Sequence, residues 1–324
     1  MNAFARRSVL GLLAGACAAL LPLASLAQSD YPNRPVKIIV AYPAGQSTDI
    51  ATRYFANKLS QAMGQSFVVE NRPGASGNIG TALAAQATPD GYTLIMGASG
   101  THAMNPALFD KPGFDAEKDF DAIMLTALIP FAISAGPNAN INSLTELIAQ
   151  ARSRPGKVDA AIPSVTGQLV LEMLKQRDVP LFGVKFKGSA DAMTATLGGH
   201  VPVLIDTVAA TRTQLGKIKV LAVTTAQPMA SMPGVKTASE QGLANFQIAA
   251  WNALMAPKGV PTEIQAKLAA EMRKILDLPE TQKALGDLGF ERAPVMNQNE
   301  LNAWLREERR NYAQTIKTAQ MKPE

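Results

Sequence analysis

The sequence predicts an α/β protein of two lobes, each with a mainly parallel sheet flanked by helices. Three observations support this prediction. Short apolar runs typical of buried strands alternate with segments in which apolar residues recur every three or four positions. This alternation occurs over residues 36–96 and begins again near residue 130. No low-complexity tract or flexible linker separates the two stretches, so we expect close-packed lobes joined by strands.

The first stretch predicts parallel strands joined by helical crossovers. A buried strand over 36–42 is followed by a helix that Gly64 terminates, a strand at 67–69, a helix at 78–87 and a strand at 92–96. Two strand–helix–strand units in succession indicate neighbouring parallel strands with right-handed connections. We therefore expect the loops after the first and third strands to lie at the same sheet edge.

The second stretch repeats the pattern and then ends in helices. Helices are predicted at 143–152, 167–176, 189–197 and 208–215, with strands near 183–186, 201–205 and 218–224. A long strand over 246–255 precedes helices at 262–276, 279–288 and 298–318. We assign 28–130 with 250–324 to lobe 1 and 131–249 to lobe 2, with chain crossings near 127–134 and 247–254.

The N-terminal segment predicts export from the cytoplasm. Arg6 and Arg7 precede an apolar run over 9–26 that ends in small residues, which is the pattern of a secretory signal peptide. Pro22 interrupts the run and no cytoplasmic flank follows it, so we do not interpret it as a membrane span. We expect cleavage after residue 27 and a periplasmic protein, with Sec and twin-arginine export both open.

The composition of the predicted mature chain excludes several classes of function. Cleavage removes Cys17 and two arginines, which leaves no cysteine and lowers the net charge from +5 to about +3. Disulfides and thiolate chemistry are thereby excluded from the mature chain, and the weak charge does not favour nucleic acid. His102 and His200 lack the spacing of a metal site, so we expect neither metal nor cofactor. We expect His102 to pack behind a loop and His200 to lie at the surface.

Two polar loops at the predicted sheet edge form the candidate binding site. In an open parallel sheet, ligands bind beyond the carboxyl ends of the strands. The loops at 42–49 and 97–102 both enter helices, whose free N–H groups favour an anion. Three to five hydrogen bonds of roughly 1.5–3 kcal/mol each would supply the ~8 kcal/mol of micromolar binding. A plain helix cap is the alternative interpretation of the first loop.

Short motifs in a fixed order over 31–324 carry a family resemblance. They are YPNRP at 31–35, ENRPGASGNIG at 70–80, PDGYTL at 89–94, THAMNP at 101–106, FKGS at 186–189, LGG at 197–199 and LAVT at 221–224. In order and spacing they resemble the periplasmic solute-binding proteins of tripartite tricarboxylate transporters, also called Bug receptors. The resemblance implies a two-lobed periplasmic binding protein fold with a crossover-strand hinge that closes over a small carboxylate.

The resemblance also implies which residues contact the ligand. The first two loops are expected to hold a carboxylate, partly through ordered waters, and a third segment at 161–166 and an acidic position come from the other lobe. The implied positions are Tyr42, Gly45, Gln46, Ser47, Asp49, Ser99, Thr101, Pro163, Ser164, Thr166 and Asp206. Gln46 stands where the family often has a second glycine.

The third segment departs from the family pattern because it is shorter and less rich in glycine. We hypothesise that Ile162, Pro163 and Val165 form an apolar wall that suits a larger or aromatic carboxylate; simple packing within the lobe is the alternative. The ligand expected is thus a small carboxylate, with an aromatic acid or a dicarboxylate among the candidates. Asp206 would accept a hydrogen bond from a ligand hydroxyl, amine, protonated acid or water, or else cap the helix at 208–215.

The predicted function is capture of a small organic carboxylate by a monomer and its delivery to the membrane components of a tripartite transporter. Two alternatives stay open from the sequence. A periplasmic hydrolase would need Ser99 and His102 as a nucleophile–base pair, although no Gly-x-Ser-x-Gly elbow surrounds Ser99. A sensory receptor would bind the same ligands but dock on a signalling protein.

Overall fold

The computed structural model describes residues 31–321, so the predicted signal peptide lies outside the described residues. The strands are β1 (Val36–Val40), β2 (Phe67–Asn71), β3 (Thr93–Ala98), β4 (Phe120–Ala135), β5 (Asp159–Ile162), β6 (Phe182–Lys185), β7 (Val203–Thr207), β8 (Lys219–Val223), β9 (Ala249–Pro257) and β10 (Glu291–Arg292). The α-helices are α1 (Ser47–Met63), α2 (Asn78–Ala85), α3 (Asn105–Leu108), α4 (Leu144–Ser153), α5 (Val165–Lys175), α6 (Ser189–Leu197), α7 (Val208–Arg212), α8 (Thr262–Asp277), α9 (Pro279–Asp287) and α10 (Gln298–Thr318). A 3₁₀ turn (Ala75–Gly77) precedes α2, and a π-helical turn (Gly100–Met104) precedes α3.

Lobe 1 is organised by the predicted strand–helix–strand units. β1 pairs in parallel with β2 and β3, which confirms the parallel arrangement of the first stretch. Helix α1 buries Ala51, Phe55 and Leu59, three residues at helical spacing that pack against the sheet. Gly64 ends this helix in the left-handed conformation, as its position in the sequence predicts.

Lobe 2 repeats this arrangement, with β5 parallel to both β6 and β7. The prediction of mainly parallel sheets therefore describes the outer strands of each lobe. The crossing strands differ, because β9 runs antiparallel to β3 and β4 runs antiparallel to β7, β8 and β9. The sheet order β2-β1-β3-β9-β4-β7-β5-β6 thus places two antiparallel strands between two parallel triplets.

The crossing region is built around the 16-residue strand β4. β4 pairs with β9 as far as Pro130 and with β7 from Phe131 onward, so one continuous strand serves both lobes. Thr224 ties the crossings together, because its Oγ1 accepts from Phe131 N at 2.9 Å and donates to Ile248 O at 2.6 Å. These contacts fall within the predicted crossings at 127–134 and 247–254, while the lobe boundaries themselves stay predictions.

One further element, helix α10, bears on the site. Helix α10, capped by Asn297 and Glu300, packs against β4 and against the π-helical turn. Across residues 31–321, we find no helix with both the length and the apolar character that crossing a bilayer requires.

Candidate functional site

Two cavities lie where the lobes meet. The first, the polar chamber, has a volume of about 50 Å³ and is lined by Tyr42, Gln46, Ser47, Thr48, Ala98, Ser99, Gly100, Ile129, Phe131, Ser164, Val165, Thr166, Ser189, Asp206, Thr207, Ala250 and Trp251. The second, the apolar groove, has a volume of about 780 Å³; its wall includes Pro43, Pro73, Leu108, Phe109, Ile162, Pro163, Phe186 and Met321. The two share Tyr42, Gln46, Ser164 and Val165.

Helix N-termini from both lobes converge on the polar chamber. Gln46 occupies the N-cap position of α1 without a capping hydrogen bond from its side chain, Ser99 precedes the π-helical turn, Ser164 caps α5 and Ser189 begins α6. The first N–H groups of a helix have no partner within that helix and carry a partial positive charge. None of the described residues that line the chamber is a lysine, arginine or histidine. The chamber is therefore suited to an anion through dipoles alone.

Direct hydrogen bonds hold the lobes together beside the chamber. The hydroxyls of Ser47 and Thr207, one from each lobe, are hydrogen-bonded to each other. Gln46 Nε2 donates to Pro163 O at 3.5 Å, and Thr166 Oγ1 lies 3.4 Å from Met104 Sδ. The two lobes therefore meet in a closed arrangement.

Gly188 marks a second close approach, since a Cβ there would lie 3.2 Å from Gln46 Nε2. It precedes α6 in lobe 2, and the side chains of Gln46 and Pro43 face it from lobe 1. Even a small side chain at this position would press on the opposite lobe.

Asp49 organises the first loop from behind the chamber. Its Oδ2 accepts from Gly45 N at 2.9 Å and from Arg53 Nε at 3.0 Å, and its Oδ1 accepts from Asn71 Nδ2 at 2.8 Å. Burial raises the pKa of Asp49, but the hydrogen bonds from Arg53, Gly45 and Asn71 outweigh it and hold the pKa below its usual range. Gly45 itself is exposed, with φ +81°, a conformation that favours glycine.

The second loop does not contain a nucleophile–base pair. His102 Nδ1 lies 2.8 Å from Thr101 Oγ1, so its contact is with Thr101 rather than with Ser99. Burial, assisted by the positive charge of Arg309, lowers the pKa of His102 to about 3, which leaves the ring neutral. His102 is fully buried against Phe120 and His200 is exposed, which confirms the positions predicted for both.

Asp206 is the acidic group of the chamber and is only 2% exposed. Its Oδ1 accepts from Thr207 N at 2.7 Å. Its Oδ2 makes no hydrogen bond of ordinary geometry, although the Ser189 hydroxyl is close enough to influence the carboxyl. Burial raises the pKa of Asp206 to about 6, against the lowering influence of the neighbouring Ser189 and Thr207 groups.

The structure brings most of the sequence-predicted residues together. Those that line the chamber are Tyr42, Gln46, Ser47, Ser99, Ser164, Thr166 and Asp206, and Pro163 lines the groove. Gly45, Asp49 and Thr101 stand outside both linings and support the loops. Their direct contact with a ligand stays a prediction, as it does for the lining residues.

Several residues that line the chamber or lie beside it were not predicted from the sequence. Ser189 lies in the FKGS motif and Thr207 directly follows Asp206, so the sequence contained a signal for both residues. Asn252 interrupts the apolar run of β9, and its side chain donates to Thr48 Oγ1 at 3.1 Å and to Gly97 O at 3.4 Å. That polar residue inside an apolar strand was the available signal for a link between the two loops.

Two α/β lobes that share a long crossing strand and close on a polar chamber define a two-lobed solute-binding protein. The family described as "Tripartite tricarboxylate transporter family receptor" matches residues 51–321 of the chain. The chain therefore belongs to this family of receptors, which confirms the resemblance predicted from the motifs. The family is one of receptors, and the related protein BugD of known structure is described as a periplasmic binding protein, so the chain is not an enzyme and the hydrolase alternative is excluded.

Individual relatives extend over nearly the whole chain. A UPF0065 protein of Bordetella bronchiseptica is 34% identical over 319 residues, covering 96% of this chain and 93% of its own length. Rpa4515 of R. palustris, solved with adipate, has a TM-score of 0.87 at 32% identity and covers 91% of this chain and 100% of its own. MatC of Rhodopseudomonas palustris, solved with bound malate, has a TM-score of 0.80 at 30% identity, with coverages of 88% and 100%.

Proposed function

We propose that this protein captures a small organic carboxylate between its lobes in the periplasm and presents it to the membrane components of a tripartite transporter. The observation that carries the proposal is the convergence of helix N-termini on a buried chamber whose described lining residues include no cation. Two related proteins were solved with the dicarboxylates adipate and malate. Both ligands belong to the class of small organic carboxylates that we propose for this protein.

The size of the polar chamber fits one carboxylate group. A cavity of roughly 10–15 Å³ holds one water molecule, so the chamber volume of about 50 Å³ accommodates a group of a few heavy atoms. Hydrogen bonds to a charged group contribute roughly 1.5–3 kcal/mol each. Hydroxyls of Ser47, Ser99 and Thr166, together with backbone N–H groups, are sufficient for micromolar affinity.

The apolar groove would take the body of the ligand. Its volume of about 780 Å³ lies within the roughly 300–1,000 Å³ usual for small-molecule sites. Ile162, Pro163 and Val165 belong to its wall, which supports the proposal that this pocket accepts a larger apolar carboxylate. Asp49 and Thr101 act in this proposal as positioning residues for the two loops.

Closure follows from the division of the hydrogen-bonding groups between the lobes. Ser47 and Ser99 belong to lobe 1, whereas Ser164, Ser189 and Asp206 belong to lobe 2, so only the closed form satisfies the whole ligand. Strands β4 and β9 are the hinge in this proposal.

A ligand screen with a closure measurement tests the proposal. Mono-, di- and tricarboxylates, including aromatic acids, are screened by thermal shift, since a ligand at a hundredfold excess over Kd stabilises the native state by about 2.7 kcal/mol. Trp251, buried beside the chamber with its ring 5.7 Å from that of Trp304, reports binding by fluorescence, and X-ray scattering reports closure. Absence of binding by every acid, or recovery of a chemically altered compound, would contradict the proposal.

A further inference from the structure

The carboxyl group of Asp206 is buried in the same chamber that we propose for the carboxylate of the ligand. The inference that follows rests on that proposed function. It lies near the end of β7, lines the chamber and is 2% exposed. Its Oδ1 is occupied by Thr207 N, whereas its Oδ2 makes no hydrogen bond of ordinary geometry. An acceptor of this kind is unfavourable beside an anion unless a proton lies between them.

The elements packed around Asp206 present no described charge that would compensate a second anion. Helices α1, α5 and α6, the π-helical turn and Thr207 of β7 contribute amides and hydroxyls, and β4 and β9 contribute apolar groups and an indole. Tyr42, the other titratable group in the lining, is neutral because burial raises its pKa to about 12.

Behind the lining, the cations Arg53 and Arg309 are each paired with a carboxylate. Asp49 is paired with Arg53, and His102 is uncharged because its pKa is lowered to about 3. Burial also raises the pKa of Glu308, which lies against Trp251. Arg309 forms an ion pair with Glu117 at 3.4 Å, away from the chamber lining.

Two ionised carboxylates within a chamber of about 50 Å³ would be only a few ångströms apart. Their repulsion in a low-dielectric site exceeds the gain from a single hydrogen bond. Carboxyl pairs that share a site therefore retain one proton, and the pair titrates as a unit.

We propose that Asp206 and the ligand carboxylate share one proton, so that the protein takes up a proton when it captures an organic acid. Asp206 then favours ligands whose carboxyl group can share this proton. The raised pKa of Asp206, about 6 and caused mainly by burial, favours the protonated partner. Above that pH the free protein has lost this proton and the complex regains it, so Kd rises about tenfold per pH unit.

Calorimetry on the full mature protein tests the proposal with adipate and malate as probes. Titration at pH 7.5 in two buffers with different heats of ionisation counts the protons taken up. Kd is then measured from pH 6.5 to 8.5, where free carboxylic acids with an ordinary pKa of about 4 are ionised. We expect close to one proton per ligand and a Kd that increases up to about 100-fold across this range. Proton-neutral binding with a Kd constant within about twofold would overturn the proposal.

Asp206→Asn is the decisive variant. The amide keeps an acceptor for Thr207 N and supplies a permanent N–H donor toward the ligand. We expect proton uptake to disappear, the pH dependence of Kd to become flat, and binding at pH 8.5 to be tighter than in the wild type. Asp191→Asn, which neutralises an exposed carboxyl in the first turn of α6, is the matched control and should keep the wild-type pH dependence.

The outcomes separate this inference from the proposed function. Tight binding of adipate without proton uptake, or a wild-type pH dependence in Asp206→Asn, overturns proton sharing alone. A proton-neutral preference for aspartate would assign Asp206 to a ligand ammonium and also overturn it. Failure of every organic acid to bind at any pH removes the proposed function itself. If thermal melting shows that Asp206→Asn is unfolded, the wild-type proton count still decides.

Discussion

The polar chamber and the apolar groove share four residues but differ in how they are built. The chamber is lined by residues at the N-termini of helices α1, α5 and α6, together with apolar residues of β4 and β9. The groove is lined by large apolar side chains such as Phe109, Phe186 and Met321, together with the charged residues Glu172, Lys185 and Lys187. In our proposal, the helix N-termini of the chamber bind the carboxylate, whereas the side chains of the groove can vary between relatives and select the rest of the ligand. The chamber would thus select for a carboxylate group, and the groove would select among the acids that carry one.

Preventing closure should have the largest effect, because it removes the contribution of one lobe to both cavities. A Cβ added at Gly188 would lie 3.2 Å from Gln46 Nε2, and Gly188→Val would add two further methyl groups beyond it. We expect Kd to increase by more than about 100-fold, because the ligand would lose at least two hydrogen bonds to its charged group. Gly188→Ala is the graded control and should weaken binding far less. Equal affinities of the two variants by calorimetry would show that the lobes do not close as proposed.

Removing one hydroxyl of the chamber should weaken every carboxylate alike. Ser99→Ala deletes a buried Oγ, and we expect a tenfold to hundredfold increase in Kd for adipate and malate together, following roughly 1.5–3 kcal/mol for a charged hydrogen bond. Ser153→Ala, whose hydroxyl binds an exposed carbonyl of α4, is the control and should not change affinity. Loss of affinity for one ligand only would place the carboxylate elsewhere.

Asp206→Asn should stabilise the ligand-free protein at neutral pH. A carboxyl whose pKa is raised by burial costs stability once it ionises, so the wild type loses stability as pH rises from about 4 through about 6. A shift of two units corresponds to at most about 3 kcal/mol, and we expect roughly 1–2 kcal/mol in the free energy of unfolding at pH 7.5. Denaturant unfolding at pH 4 and 7.5 measures the difference. A stability gain of the same size at pH 4 would argue against ionisation as its cause.

Trimming the groove should have the smallest and most selective effect. Phe186→Ala removes part of the apolar wall, and burial of about 40 Å² at roughly 25 cal/mol per Å² corresponds to ~1 kcal/mol. We expect about a fivefold weaker Kd for adipate and less than a twofold change for the shorter malate. Phe182→Ala, at a position that is 56% exposed on β6 and outside the groove, is the matched control. Equal losses for both ligands would mean that the groove does not discriminate by ligand length.

The sequence predicted the two polar loops because each lies directly after a recognisable strand. It also predicted a long strand over 246–255, which corresponds to β9 at Ala249–Pro257. It did not predict β4 as one strand over Phe120–Ala135, because a strand buried on both faces carries no alternating pattern. Asn252 was missed for a related reason, since a single amide in an apolar run has no periodic signal.

By itself, the sequence determined the alternation of strands and helices and the polar loops at the sheet edge, because each depends on neighbours along the chain. Only the tertiary structure decided which of those polar atoms face the chamber. Ser47 and Thr207 are 160 residues apart and yet hydrogen-bonded, and Asp49 and Thr101 turn out to support the loops from behind. The physical reason is that burial and hydrogen-bond partners belong to the packed lobes and not to any local segment.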